Sequence, residues 1–313
     1  FAHGVWRRTK MILAITFGDG SFAESARLNL WTALHIGKVD RVRQYTPQDI
    51  DKAYYQEHRD ILDQPRGAGY WLWKPYVILD ALQSLDWNEY LMYVDAGVLY
   101  YSSVLPMVRQ LQKDNQDIYF SAGFWTNEYW CKRDTYVIMN CDTKEYYTAN
   151  RVAAGYMLIK KTPNSVEFIK KWQLYLEDVR LATDQPSVCG KGELPLFKEH
   201  RHDESVLSIL VKQFGYKPYR SIDGRWEIKR FQHFFDDPMT FYGITGEECE
   251  KIYRNFINQP VNQVPYRRVV VNTNIHGHRG LGFWLRVIRR ILQAWWWDHT
   301  PYRWKGTKSE SVF

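Results

Sequence analysis

The sequence predicts an α/β fold: one domain with a central, mostly parallel sheet, and an amphipathic helix added near the C-terminus. Three patterns carry this prediction. Residues 11–17 (MILAITF) form an unbroken apolar run that stops at Gly18-Asp19-Gly20, as expected of a strand buried on both faces and ended by a tight turn. Residues 22–34 then place apolar side chains at Phe22, Ala26, Leu30, Ala33 and Leu34, a helical spacing, and residues 39–45 give a second short strand. That strand–helix–strand rhythm belongs to parallel strands joined by helical crossovers. Residues 89–94 (EYLMYV) repeat the apolar strand and end at Asp95-Ala96-Gly97.

The other elements follow in chain order. Thr46-Pro47 reads as a helix entry, and helices are expected over 73–85, 165–181 and 203–214. Strands are expected over 118–122, 154–159, 216–218 and 267–272. Residues 281–297 carry apolar side chains at 281, 284, 285, 288, 291, 292 and 295, with Arg286, Arg289, Arg290 and Gln293 on the other face. The stretch ends in Trp295-Trp296-Trp297. The organisation expected is a leading extension over 1–10, the α/β domain over 11–265, and a basic, aromatic segment over 266–313. Residues 1–10 hold two arginines and no long apolar run, unlike a signal peptide.

Composition narrows the function classes. The 313 residues include 14 Trp, 22 Tyr and 15 Phe, so that 16% are aromatic; disordered chains are poor in such residues. Flat aromatic faces suit sugars, bases and membrane interfaces alike. The net charge is +7, but the span from Arg267 to Lys308 holds nine Lys or Arg and one acid. The rest of the chain is close to neutral, so a nucleic-acid partner for the whole domain is not expected, whereas a partner for the tail is. Cys131, Cys141, Cys189 and Cys249 form no CxxC pair, which excludes zinc-ribbon and thioredoxin motifs and favours a reducing, cytosolic setting. No run of 18 apolar residues offers a membrane span.

Four segments concentrate chemistry. In Arg66-Gly67-Ala68-Gly69-Tyr70-Trp71-Leu72-Trp73-Lys74-Pro75, two glycines allow a ligand close to the backbone, a helix N-terminus follows, and Arg66 and Lys74 bracket the turn as a diphosphate would require. A turn with core tryptophans is the alternative. Asp95 stands at the carboxyl end of a buried strand, where α/β sheets bind ligands, or simply opens a turn before Gly97. His200-Arg201-His202-Asp203-Glu204-Ser205 opens a helix; it supplies a base and hydrogen-bonding groups for hydroxyls, unless Asp203 is only an N-cap. Trp130-Cys131-Lys132-Arg133-Asp134 offers two cations for phosphate or a solvated loop. His276-Gly277-His278-Arg279 could ligate a metal or phosphate.

Taken in order, Thr16 to Asp19, Arg66 to Pro75, Tyr93 to Gly97, Trp130 to Asp134 and His200 to Ser205 resemble a group of bacterial and viral glycosyltransferases with the GT-A, or nucleotide-diphospho-sugar transferase, fold. The resemblance covers residues 11 to about 220, and its long aromatic motif is the specific one. His202-Asp203-Glu204-Ser205 is also similar to the HDES segment of blood-group-type retaining galactosyl- and N-acetylgalactosaminyltransferases, in which the Glu is the catalytic carboxylate. The resemblance implies a nucleotide-sugar donor and a glycan or lipid-linked glycan acceptor. Thr16, Phe17, Gly18 and Asp19 would hold the nucleoside. Arg66, Gly69, Lys74, Lys132 and Arg133 would hold the diphosphate, and Tyr70, Trp71, Trp73 and His202 would pack the donor. Asp203 or Glu204 would act at the sugar, with a retaining outcome favoured. One departure stands out. The GT-A metal motif is Asp-x-Asp, and here only Asp95 of that pair is present. Either Asp95 holds Mn²⁺ or Mg²⁺ with the diphosphate and a further ligand such as His276 or His278, or the cations alone carry the phosphate charge. A decayed fold that binds nucleotide or carbohydrate without catalysis is the rival reading.

The helix over 281–297 is expected to lie on an anionic membrane at its inner, cytoplasmic face, with its arginines at headgroup level. Leu281, Trp284, Leu285, Ile288 and Leu292 would equally suit a helix packed on the domain.

Overall fold

The computed structural model describes residues 10–223, 247–248, 252, 254, 268–273 and 280–299. Nine strands are described: β1 (Ile12–Phe17), β2 (Arg41–Tyr45), β3 (Tyr90–Val94), β4 (Val98–Tyr100), β5 (Ile118–Tyr119), β6 (Ala122–Thr126), β7 (Asn150–Val152), β8 (Tyr156–Lys160) and β9 (Val270–Asn272). Five of them build the central sheet in the order β2-β1-β3-β8-β5. β2, β1 and β3 pair in parallel, and β8 is antiparallel to both of its neighbours. Four of the five strands therefore point one way.

The middle of the sheet is buried on both faces because β1, β3 and β8 are almost wholly apolar, whereas the edge strand β2 (RVRQY) stays largely exposed. Alternation along a strand sends successive side chains to opposite sides. Leu13, Ile15, Leu91, Tyr93, Met157 and Ile159 enter one core, while Ile12, Ala14, Tyr90, Met92, Tyr156 and Leu158 enter the other. The first core is covered by the helices Trp73–Gln83, Pro163–Leu176 and His202–Gln213, through residues such as Ile78, Phe168, Trp172 and Leu207. The second is covered by the helix Leu105–Asp114, through Met107 and Leu111, and by Val270 of β9. The result is three layers, with the sheet in the middle.

Three expected elements come out differently. The strand over 118–122 divides into β5 and β6, and 216–218 forms no strand: Tyr219 makes a lone bridge to Ser121. Pro218 has no N–H to give to a ladder, which stops the pairing there. The helix over 165–181 starts earlier, at Pro163, where Thr162 and Ser165 form a capping box, and it ends at Leu176. A separate turn, Val179–Ala182, begins where Asp178 caps the backbone N–H of Arg180 at 2.9 Å. Residues 1–9 lie outside the described residues.

The C-terminal segment is tied into the body at two places. β9 pairs antiparallel with β4, Val271 opposite Leu99. The helix Gly280–His299 packs Phe283 and Val287 on Leu99, with Leu28 beside them. Near its end Asp298 takes the guanidinium of buried Arg268 in a two-point pair, at 3.0 Å from Nε and 2.9 Å from Nη2.

Candidate active site

The carboxyl ends of β1 and β3 lie side by side, and a ligand site in an α/β sheet belongs there. Gly18 follows β1; a side chain on it would stand 3.3 Å from Cβ of Ala96, so the two strand ends are in contact. The turn Asp95-Ala96-Gly97 is fixed from several sides. The Asp95 N–H donates to Gly155 O (2.8 Å), Asn29 Nδ2 donates to Val98 O (2.6 Å), and Thr273 gives both its N–H and its hydroxyl to Gly97 O (3.0 and 2.8 Å). Gly155 leaves room for the carboxylate: a Cβ there would come within 2.9 Å of Asp95 Oδ2 and displace it. So held, the Asp95 carboxylate is 39% exposed and accepts the Tyr93 hydroxyl at 2.5 Å.

Lys74 joins this turn to a distant motif. Its ammonium, on the first turn of the helix Trp73–Gln83, is only 3% exposed. It donates to Asp203 Oδ2 at 2.6 Å and lies 3.6 Å from Asp95 Oδ1. Burial alone would strip Lys74 of its proton, but the carboxylates of Asp203 and Asp95 outweigh it and hold the pKa above the ordinary lysine value. Asp203 is itself buried. Desolvation, with the neighbouring charges of Glu204 and Asp95, raises its carboxyl to about 6 even with Lys74 bound. Asp203 is therefore no N-cap: its side chain meets a cation inside the protein. Glu204 points elsewhere, 24% exposed and paired with Arg151 of β7 at 2.6 Å. Arg151 also lies over the ring of Trp130.

The aromatic motif before Lys74 makes a left-handed turn. Gly67, Ala68, Gly69, Tyr70 and Trp71 all have positive φ, between 49° and 94°. Each non-glycine residue in this conformation costs roughly 1–2 kcal/mol, and the glycines are there for space. A Cβ on Gly69 would sit 2.7 Å from the Leu62 backbone, and one on Gly67 would strike the Trp71 ring. Asp184 holds the turn: its carboxylate accepts Arg66 Nη1 (3.0 Å), Tyr70 OH (3.1 Å) and His202 Nε2 (3.0 Å). His202 also has positive φ, 49°, and its ring packs near those of Tyr70 and Trp71. Burial lowers its pKa to about 4 despite Asp184, so it is the neutral ring that donates. Burial likewise keeps His200 neutral: its Nδ1 accepts the Lys132 N–H at 3.3 Å, leaving Nε2–H for Leu181 O at 2.7 Å.

Asp184 was not singled out by the sequence, and the segment expected to hold phosphate is what positions it. The Lys132 ammonium donates to the carbonyls of Thr183 (2.8 Å) and Gln185 (3.0 Å), on either side of Asp184. Asp134 accepts the N–H groups of Val188 and Cys189, and Arg133 pairs with Asp142, which also holds Lys191. Lys132 thus spends its charge on the loop over 183–191, and Arg133 spends its own on Asp142. Thr16 and Trp73 are buried, Phe17 stacks on Trp73 at 3.9 Å, and Gly18 is bound to Tyr45 and Gln44. Asp19 is exposed at the rim.

A divalent ion fits poorly with the described donors. Asp95 is a single carboxylate shared with a hydroxyl and an ammonium, and no cluster of three metal-ligating side chains occurs among the described residues. His276 and His278 lie outside the described residues. What the arrangement offers is a half-open carboxylate, a buried lysine–aspartate pair behind it, and a second carboxylate, Glu204, on the same helix as Asp203.

No protein-family model matches the sequence, and no curated protein does. Solved structures give likenesses of outline. Mouse xyloside xylosyltransferase 1 aligns over 87% of this chain and 99% of its own, at 9% identity and a TM-score of 0.41. The galactosyltransferase LgtC, solved with donor and acceptor sugar analogues, aligns over 90% and 94%, at 14% identity and 0.41. The bifunctional glycosyltransferase WbbM aligns over 92% of this chain and 50% of its own, at 8% identity and 0.43.

Proposed function

We propose that the chain is a glycosyltransferase of the GT-A kind, moving a sugar from a nucleotide-activated donor to a hydroxyl of a glycan or lipid-linked glycan, in the synthesis of a surface polysaccharide or glycoconjugate. One observation carries the reading. Lys74 brings together Asp95, at the carboxyl end of β3, and Asp203, beside Glu204, from motifs more than a hundred residues apart. The rim of β1 at Gly18 and Asp19 receives the nucleoside. Arg66, 41% exposed and paired with half-exposed Asp184, is the cation for the diphosphate. Lys74 offsets the carboxylates, so that Asp203 and Asp95 can be ionised together and orient sugar hydroxyls.

The bond between C1 of the sugar and the phosphate oxygen breaks, and its electron pair leaves with the nucleoside diphosphate. The acceptor oxygen bonds C1 on the face that the phosphate leaves, which retains configuration, and its proton passes to the departing phosphate oxygen. Glu204, next to Asp203 on the same helix and turned from its pair with Arg151 when donor is bound, would stabilise the developing positive charge.

The test is a thermal-shift panel of nucleoside diphosphates and nucleotide sugars, each with EDTA and with Mn²⁺. At a hundred times its Kd a ligand stabilises the native state by about 2.7 kcal/mol, which is several degrees. One base is expected to stand out, and Asp95→Asn should reduce the shift of its nucleotide sugar while sparing that of the bare nucleoside diphosphate. No shift with any nucleotide at millimolar concentration overturns the reading, and loss of the shift in EDTA replaces the metal-free arrangement.

A further inference from the structure

The helix Gly280–His299 is apolar on two sides, and the body uses only one. Phe283, Val287 and Ala294 are buried, at 1%, 4% and 4% exposure. Leu281, Trp284, Leu285, Ile288, Leu292 and Trp295 are not: they are 47% to 76% exposed. At about 100° per residue, these six cover an arc roughly 100° wide, facing about 130° away from the buried stripe. Arg289, exposed, lies about 40° beyond one edge of it, and Arg286 and Arg290 lie further round, towards the buried stripe. The side chains that could have packed the helix on the domain are thus the ones left in water, and a contiguous apolar face of this kind marks an interaction surface.

We infer that this arc is a docking surface for an anionic lipid bilayer, with the helix lying flat in the interface. Three features select a bilayer over a protein groove or a second copy. The helix holds three arginines, all between 286 and 290, and one acid, Asp298, which Arg268 already neutralises, so its net charge has the sign that anionic headgroups attract. Tryptophans at both ends of the arc, Trp284 and Trp295, are the side chains that settle at the boundary of acyl chains and water. The arginines also interrupt the apolar run, and no described helix is long and apolar enough to cross a membrane, so the helix rests on the surface. The inference is independent of sugar transfer.

Co-sedimentation of the full chain with vesicles tests it, comparing phosphatidylcholine alone with a mixture containing 30% phosphatidylglycerol. Wild type is expected to pellet with the anionic vesicles and at least tenfold less with the neutral ones. Arg286→Gln/Arg289→Gln should lower the partition coefficient about fivefold, through Arg289, the arginine nearest the arc, and weaken its salt dependence. Leu285→Glu/Leu292→Glu should abolish binding while melting within about 2 °C of wild type, since both positions are exposed. Wild type that stays in the supernatant overturns the inference, as does binding that survives both pairs of substitutions. A wild-type dimer turned monomeric by the glutamates would give the arc to a second copy instead.

Discussion

Replacing Lys74 with Met removes the cation on which the site depends. The ammonium is 3% exposed, 2.6 Å from Asp203, and Asp203 is 7% exposed. Methionine fills the same volume but leaves a buried carboxylate without its partner. Breaking a buried pair in this way costs about 3–5 kcal/mol, and the second contact, to half-exposed Asp95, adds little. At about 2 °C per kcal/mol for a domain of this size, Lys74→Met should melt some 6–10 °C below wild type at pH 8. Asp203 sets the pH dependence of this deficit. Its carboxyl is already raised to about 6 and goes higher without Lys74. An acid whose folded value is raised costs stability above that value, and the cost fades as pH falls through it. The deficit should therefore shrink by more than half at pH 5. Lys74→Met/Asp203→Asn removes both charges and should recover most of the loss, giving a coupling of about 2 kcal/mol or more in a double-mutant cycle. A single variant that melts within 2 °C of wild type at pH 8, or a double variant no better than the single, would refute the pair.

The same geometry makes three further predictions. Asp184→Asn removes the charge that gathers Arg66, Tyr70 and His202, and should cost about 2 kcal/mol; limited trypsin digestion after Arg66 should then be faster than in wild type. Gly69→Ala, with φ of 94° and a backbone atom 2.7 Å from the new Cβ, should lose about 3 kcal/mol, whereas Gly97→Ala, with nothing within 4 Å, should stay within about 0.5 kcal/mol by thermal melting. His202 has a folded pKa of about 4 against 6.5 unfolded, so the unfolded chain binds the proton first and stability falls as pH drops through that window, by about 3 kcal/mol. His200 adds to this loss, raised Asp203 offsets part of it, and His202→Gln should flatten the fall of Tm between pH 7 and 5.

The strands and the position of Asp95 were legible because β1 and β3 are apolar at every residue, a pattern only two-sided burial explains. Lys74 was legible as a cation next to a glycine turn, but its partner was not. Asp203 lies 129 residues further on, and no spacing rule connects them. Asp184 gave no local signal: it is one acid in a loop. The clue was indirect, since Arg66 and a buried His202 need an anion between them. Lys132 misled because a lysine satisfied by carbonyls reads the same in sequence as one facing phosphate. In the C-terminal helix, periodicity outlined the apolar arc from Leu281 to Trp295, but it could not tell that Phe283, Val287 and Ala294 take the body. Three side chains four and seven apart were lost among so many apolar ones.

The most direct measurement is release of nucleoside diphosphate from a panel of nucleotide sugars, with and without simple glycoside acceptors, by wild type and by Glu204→Gln. Glu204 is 24% exposed and pairs with Arg151 alone among the partners described for its carboxylate, so Gln should fold normally. The account predicts turnover of one donor by wild type and a loss of about a hundredfold or more in the variant. Donor binding without turnover in wild type, or turnover undiminished in Glu204→Gln, would contradict it.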